Sequence, residues 1–216
     1  MALANETYKE LSIKEFTKAA EKYETDKGGV YKLCKKDYPD ILKEIEKEDF
    51  QDLLDAGCGP APMLFLLTKQ FPQKHYVGID LTEKMIEVAR KKQLPNTELF
   101  VGDCENLPFE SESFDVVICS MSAHHYPEID HFYESAYRVL RPNGRLILRD
   151  MTVKNKLVRG FVRHIEMPLI RKTGHGDVDM LRCEDVKAGM EKAGFRVLTC
   201  EAREHMRLHA VARKAI

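Results

Sequence analysis

Short apolar runs alternate with amphipathic stretches from residue 51 to residue 151. DLLDAG (52–57) ends in glycine, HYVGID (75–80) and TELFVGD (97–103) end in aspartate, and FDVVICSM (114–121) is nearly all apolar. Runs of this length predict strands, and the last predicts a strand buried on both faces. Between them, PMLFLLTKQF (62–71) has helical length, with Pro62 in the first turn where its missing N–H is tolerated. LTEKMIEVARKKQ (81–93) places Met85, Ile86 and Ala89 on one face, with Thr82 as the N-cap. In EIDHFYESAYRVL (128–140), Ile129, Phe132, Tyr133, Ala136, Val139 and Leu140 keep the spacing of a half-buried helix. Pro142 ends that helix, and Asn143-Gly144 can supply a positive-φ turn into RLILRD (145–150).

The flanks read differently. Residues 1–50 carry two helical stretches, IKEFTKAAEKY and YPDILKEIEKE, around the link TDKGG. Residues 154–172 are amphipathic, with Leu157, Val158, Phe161, Val162, Ile165 and Leu169 set against Lys156, Arg159, Arg163 and Glu166. After TGHGD a helix is expected over 184–193, and FRVLTCEA (195–202) with MRLHAVARK (206–214) predicts an antiparallel hairpin. Five successive βα units require a parallel sheet with helices on both faces, and right-handed crossovers leave the doubly wound order. The expected fold is α/β: a doubly wound, seven-stranded, mostly parallel sheet closed by an antiparallel C-terminal hairpin. A helical cap (1–50) and a main domain (51–216) with a substrate-side insertion (154–182) are the expected organisation.

Composition narrows the classes of function. Of 216 residues, 44% are hydrophobic and 32% charged, which suits one sizeable core. A net charge of −1 argues against a chain built to grip nucleic acid or an anionic membrane. The basic side of 154–172 leaves a peripheral membrane contact open. None of the six cysteines forms a C-x-x-C pair, and several lie in apolar strand runs, the pattern of reduced structural thiols. The first residues lack an apolar stretch of signal-peptide length, and no apolar run approaches the roughly 20 residues of a membrane span. A cytoplasmic location is therefore expected.

The stretch DLLDAGCGPAP (52–62) bears on the ligand. In open α/β sheets ligands bind beyond the carboxyl ends of the strands, where Gly57 and Gly59 allow a tight turn. A dinucleotide needs its pyrophosphate on free amides of the next helix. Pro60 and Pro62 have no N–H, and Pro62 stands where the dinucleotide pattern needs its last glycine. A nucleoside without phosphates loses much less. Asp55, Asp80 and Asp103 place one carboxylate at the end of each of the first three strands. Asp80 can accept from two ribose hydroxyls and Asp103 from an adenine amino group. Such a row suits a cationic sulfonium nucleoside, S-adenosylmethionine, and repels a phosphate.

Taken together, these motifs resemble those of the class I S-adenosylmethionine-dependent methyltransferases, in the small-molecule branch that includes the ubiquinone/menaquinone-type enzymes. The resemblance runs over about residues 50–152: LLDAGCG with Asp55, Gly57 and Gly59; YVGIDLTEKMIEVAR with Asp80 and Leu81; GDCENLPFESESFDVV with Asp103 and Cys104; then CSMSAHHYP and YRVLRPNGRLIL. It implies that Asp80 holds the ribose, that Leu81 lies beside adenine and that Asp103 and Cys104 meet the adenine edge. It also implies that Ser120 lies near the methionine part and that residues 1–50 cover the cofactor. Pro60 and Ala61 replace the family's usual Thr-Gly. Pro60 removes one donor to the methionine carboxylate, and Lys27 or Tyr31 is the expected substitute.

Catalytic candidates are few. His124 and Asp150, after the fourth and at the end of the fifth strand, are candidates for proton transfer or acceptor contact, with loop fastening and helix capping as the alternatives. His205 and His209 are spaced i, i+4 but lack an evident third ligand, so no metal site is expected. His175 and Asp177 sit in a glycine-rich connector. The expected function is methyl transfer from S-adenosylmethionine to a small-molecule acceptor, without nucleic acid. The alternatives are a cofactor-binding protein without catalysis and a methyltransferase acting on RNA or protein.

Overall fold

The computed structural model describes residues 5–25, 30–153, 160 and 176–215. Its strands are β1 (Asp52–Ala56), β2 (His75–Asp80), β3 (Thr97–Val101), β4 (Phe114–Ser120), β5 (Leu140–Met151), β6 (Phe195–Arg203) and β7 (Arg207–Lys214). They form one seven-stranded sheet in the order β3-β2-β1-β4-β5-β7-β6. The first five run parallel, whereas β7 is antiparallel to both β5 and β6. The described helices are α1 (Asn5–Ala19), α2 (Val30–Cys34), α3 (Tyr38–Ile45), α4 (Pro62–Gln70), α5 (Glu83–Arg90), α6 (Ile129–Val139) and α7 (Cys183–Lys192). The expected α/β fold and its C-terminal hairpin are both present.

Alternation along the strands divides the core in two. Leu54, Val117, Cys119, Leu146 and Leu148 face Phe132 and Tyr133 of α6 and Val186 and Met190 of α7. Leu53, Val116, Ile118 and Ile147 face the other way, toward Ile41 and Ile45 of α3 and Leu64 and Leu67 of α4. Adjacent residues thus serve opposite cores, which is why β4 lacks polar alternation. Each such Leu, Ile or Val side chain contributes roughly 1.5–3 kcal/mol through burial. The strand order reverses between β1 and β4, so the crevice beyond their carboxyl ends is the natural place for a ligand.

Two local readings change. Leu140 is already extended, so α6 passes directly into β5. Asn143 takes a left-handed φ of 65°, but Gly144 does not, and the expected turn is a kink inside one long strand. Arg141 holds this segment by reaching Asp52 and Asp115 at 2.8 and 3.0 Å. Thr82 is the N-cap of α5 in backbone conformation, but its side chain makes no capping bond. Its amide instead donates to Asp80 at 2.8 Å.

Buried arginines tie α3 to the sheet. Arg145 donates to the carbonyls of Glu44, Ile45 and Glu48, satisfying the end of the helix. Arg149 and Arg207 flank the fully buried Asp37 at 2.7 and 3.2 Å. Lys27, His175 and the amphipathic stretch at 154–172, apart from Gly160, lie outside the described residues. No helix among the described residues is long and apolar enough to cross a membrane.

Candidate functional site

The glycine loop leaves β1 and enters α4. Gly57 and Gly59 have φ of 79° and 53°, the left-handed region that glycine reaches without strain. A Cβ on Gly57 would stand 2.0 Å from Ser122 Oγ. The Gly57 and Cys58 amides donate to the Ile79 carbonyl at 2.9 and 3.0 Å, and the Ala61 amide donates to the Cys58 carbonyl at 2.9 Å. Gly59 donates to Asp80 Oδ2 at 2.9 Å. Pro60 has no amide, so every N–H from 57 to 61 is engaged within the protein. A pyrophosphate would find no donor there and would meet a carboxylate instead. Ala61, the fully buried N-cap of α4, also has a left-handed φ of 59°.

Two adjoining cavities lie along this crevice and share Phe16, Gly57, Asp80, Ser122 and His125. Asp55, Gly59, Ser120, Tyr23 and Tyr38 line the first. Leu81, Asp103, Cys104, Glu105 and Lys9 line the second. Asp55, Gly57, Gly59, Asp80, Leu81, Asp103, Cys104 and Ser120 are therefore brought together along one cleft. Tyr31 is not in its lining; its ring lies 6.0 Å from that of Tyr23, and Tyr23 is the one that reaches the cavity.

The first cavity favours a cation. Its described lining contains no Lys or Arg. Asp55 is 3% exposed, and burial together with the Asp80 charge pushes its carboxyl up to about 8. Burial also raises Asp80, against the lowering effect of the Thr82 and Gly59 amides. Ser120 Oγ is buried without a hydrogen-bond partner. A polar, positively charged ligand would satisfy that hydroxyl and let both carboxyls ionise.

At the other end, Asp103 accepts from the Glu105 amide at 2.9 Å and pairs with Lys9 at 2.6 Å. Lys9 also reaches Glu105 at 2.6 Å, so α1 lies across the second cavity. Lys9, Ser12 and Phe16 line this cavity and are spaced i, i+3, i+7 on one face of α1. That periodicity was the available signal for residues that motif reading passed over. Tyr23, Tyr38 and Ser122 carry no comparable signal and enter the lining through packing.

His124 and Asp150, read separately along the chain, meet in space. His124 Nδ1 lies 2.7 Å from Asp150 Oδ1, and both side chains are buried. Burial pulls the His124 imidazole down, but the Asp150 carboxylate, with Asp177 and Glu15 behind it, outweighs that and the net shift is upward. Burial raises Asp150, yet His124 and the Met151 amide hold it below the usual carboxylate range. It is His125 that lines both cavities. Burial, then the neighbouring His124, push the His125 ring down to about 4. His205 and His209 do not face a common centre: His205 sits in the turn Glu204–Met206, and His209 is buried in β7, 3.3 Å from Glu44.

Comparison with known proteins gives concordant findings. A sequence profile described as "Methyltransferase domain" matches residues 54–148. A phthiotriol/phenolphthiotriol dimycocerosates methyltransferase of Mycobacterium leprae is 41% identical over 106 residues, which is 49% of this chain and 39% of that protein. This chain thus matches well under half the length of that relative. A demethylmenaquinone methyltransferase of Listeria welshimeri is 29% identical over 178 residues, 77% of this chain and 75% of that protein. A SAM-dependent methyltransferase structure from Aquifex aeolicus shares the fold, with a TM-score of 0.65 and 21% identity, covering 83% of this chain and 90% of the other. The sheet order and the glycine loop between β1 and α4 thus accompany a methyltransferase-domain match over residues 54–148, and the fold is shared with a SAM-dependent methyltransferase structure.

Proposed function

We propose that the protein transfers a methyl group from S-adenosylmethionine to a small-molecule acceptor. One observation carries this reading. The cleft at the switch point pairs buried carboxyls and an orphaned serine hydroxyl with a loop that has no amide to spare for phosphate. Asp80 and Leu81 would hold the ribose and adenine, with Asp103 and Cys104 at the adenine edge. Asp55, Gly57, Gly59 and Ser120 would surround the methionine part. When bound, the cofactor supplies a methyl group on a positively charged sulfur.

The chain's own contribution is placement and exclusion of water. Phe16 of α1 stands edge-on to His125, with ring centroids 5.0 Å apart, and closes the cleft from above. Holding an acceptor in line in such a dry site lowers the barrier without requiring a strong base. The Asp150–His124 pair fixes the turn that carries His125. Relatives named for a phthiotriol and for demethylmenaquinone support a small organic acceptor, and the net charge of −1 disfavours nucleic acid.

The test is incubation with methyl-labelled cofactor and a panel of quinols and long-chain alcohols, in parallel with total RNA. Label in an organic-extractable product, insensitive to ribonuclease and to salt, is the expected result. Label in RNA or protein would overturn the acceptor class. Tight cofactor binding without turnover across the panel would favour the non-catalytic alternative.

A further inference from the structure

The short turn Ala123–His125 places two histidines side by side, with ring centroids 4.1 Å apart. The His124 ring has one nitrogen already committed. His124 Nδ1 lies 2.7 Å from Asp150, a carboxylate that fixes the proton on that nitrogen and leaves Nε2 as the free lone pair. His125 Nδ1 is buried without a hydrogen-bond partner. The other His124 nitrogen and the unpartnered His125 nitrogen both lie near Asp177, whose Oδ1 is 3.4 Å from His124 Nε2 and 3.8 Å from His125 Nδ1.

Asp177 is distant in sequence but held in place. The adjacent Val178 amide donates to the His124 carbonyl at 2.9 Å, and the Gly176 amide donates to Glu15 of α1 at 3.1 Å. Among the described residues, His124, His125 and Asp177 are the one group whose ligand atoms converge, all within 4.8 Å of one another. Ligand atoms around tetrahedral zinc, with bonds of about 2.1 Å, lie about 3.4 Å apart. Asp177 Oδ1 and His124 Nε2 already stand at that separation, 3.4 Å. The Asp150 contact is the outer carboxylate that commonly orients a metal-bound imidazole.

We propose that His124, His125 and Asp177 bind one divalent transition-metal ion of the zinc type, with its open coordination position turned toward the cleft that His125 lines. Two neutral imidazoles, one carboxylate and a vacant fourth position make the donor set of a catalytic rather than a structural zinc site. The ligand for that fourth position is an oxygen of the acceptor, an extension that rests on the methyl-transfer reading. Coordination there would favour the ionised form of a hydroxyl near neutral pH, as it does for zinc-bound water.

The experiment uses the full chain, stripped by chelation and titrated with Zn²⁺ alone, and separately with Co²⁺ alone, without cofactor or acceptor. The wild type is expected to take up one Zn²⁺ with micromolar or tighter affinity, and Co²⁺ to give the visible absorption of a tetrahedral site. His125→Ala is expected to weaken Zn²⁺ binding by at least ~100-fold, and Asp150→Asn, which leaves all three ligands, by roughly 10- to 100-fold. His205→Ala leaves binding unchanged. Circular dichroism verifies the fold of each variant, with His125→Gln used if the alanine variant does not fold. Absence of stoichiometric uptake by the wild type, or uptake undiminished in the folded His125 and Asp150 variants, overturns the proposal. Because neither cofactor nor acceptor is present, intact Zn²⁺ binding without methyl transfer would count against the functional reading alone.

Discussion

The two halves of the cleft are built by different means. The half proposed to hold the cofactor takes Asp55, Gly57, Asp80, Asp103 and Cys104 from consecutive strand ends, and backbone amides bonded to nearby groups shape its loop. On the other side Phe16 from α1 and His125 after β4 face the cleft, with His124, Asp150 at the end of β5 and Asp177 before α7 packed behind them. Apart from the adjacent histidines, these positions are far apart along the chain and meet through side chains and through the His124 and Val178 amides. The first half is therefore sensitive to backbone geometry, and the second to charge and ring orientation. Substitutions should separate cofactor binding from turnover along this division.

The largest effect is expected at Gly57. Gly57→Ala forces a Cβ to within 2.0 Å of Ser122 Oγ at a φ of 79°. Strain on the order of 1–3 kcal/mol plus that clash should weaken cofactor binding by at least ~100-fold in calorimetry. Asp150→Asn comes next: turnover should fall roughly 10- to 100-fold while cofactor affinity holds within about twofold. Equal losses in both quantities would erase the contrast between the halves.

Asp55 tests the first half by pH. Its carboxyl, pushed up to about 8, is protonated in the free protein at neutral pH. A bound cation favours the charged form, so binding near pH 7 should release a proton, measured as buffer-dependent heat. Affinity should tighten as pH rises toward about 8 and then level off, and Asp55→Asn should abolish that slope. Stability runs the other way. Above about pH 4 the unfolded chain ionises this group while the folded protein does not, so the free protein loses stability up to about pH 8. Asp55→Asn should accordingly raise the melting temperature of the free protein at pH 8.

Ala61 gives the smallest expected effect. Its left-handed φ of 59° costs about 1–2 kcal/mol, which glycine would relieve. Against this stand about 0.4–1 kcal/mol of unfolded-state entropy and about 0.8 kcal/mol for the buried methyl. Ala61→Gly should therefore change stability by less than about 1 kcal/mol in denaturant unfolding. A larger gain would mean that the loop is more strained than its single dihedral indicates.

Much of the fold was legible because strand ends and periodicity are local signals. HYVGID matches β2 residue for residue, and Met85, Ile86 and Ala89 are buried as their spacing predicted. The loop was legible for the same reason, since a proline has no N–H in any fold. Tyr31 shows where this stops: an aromatic near the cleft in sequence was a plausible contact, but packing gives that place to Tyr23. Likewise no local pattern named the partners of Arg141, two residues before the left-handed Asn143: Asp52 of β1 and Asp115 of β4.

The sequence by itself determined the alternation of strands and helices, the carboxylates at the strand ends and a loop unsuited to phosphate. Each follows from bonds or side chains within a few residues. Only the tertiary structure decided that His124 rests on Asp150, that His125 rather than His124 faces the cleft, and that Asp177 comes within 3.4 Å of the pair. The physical reason is that ring orientation depends on which partners the folded chain brings to each nitrogen. Those partners come from β5 and from the segment before α7, whose placement no local pattern encodes.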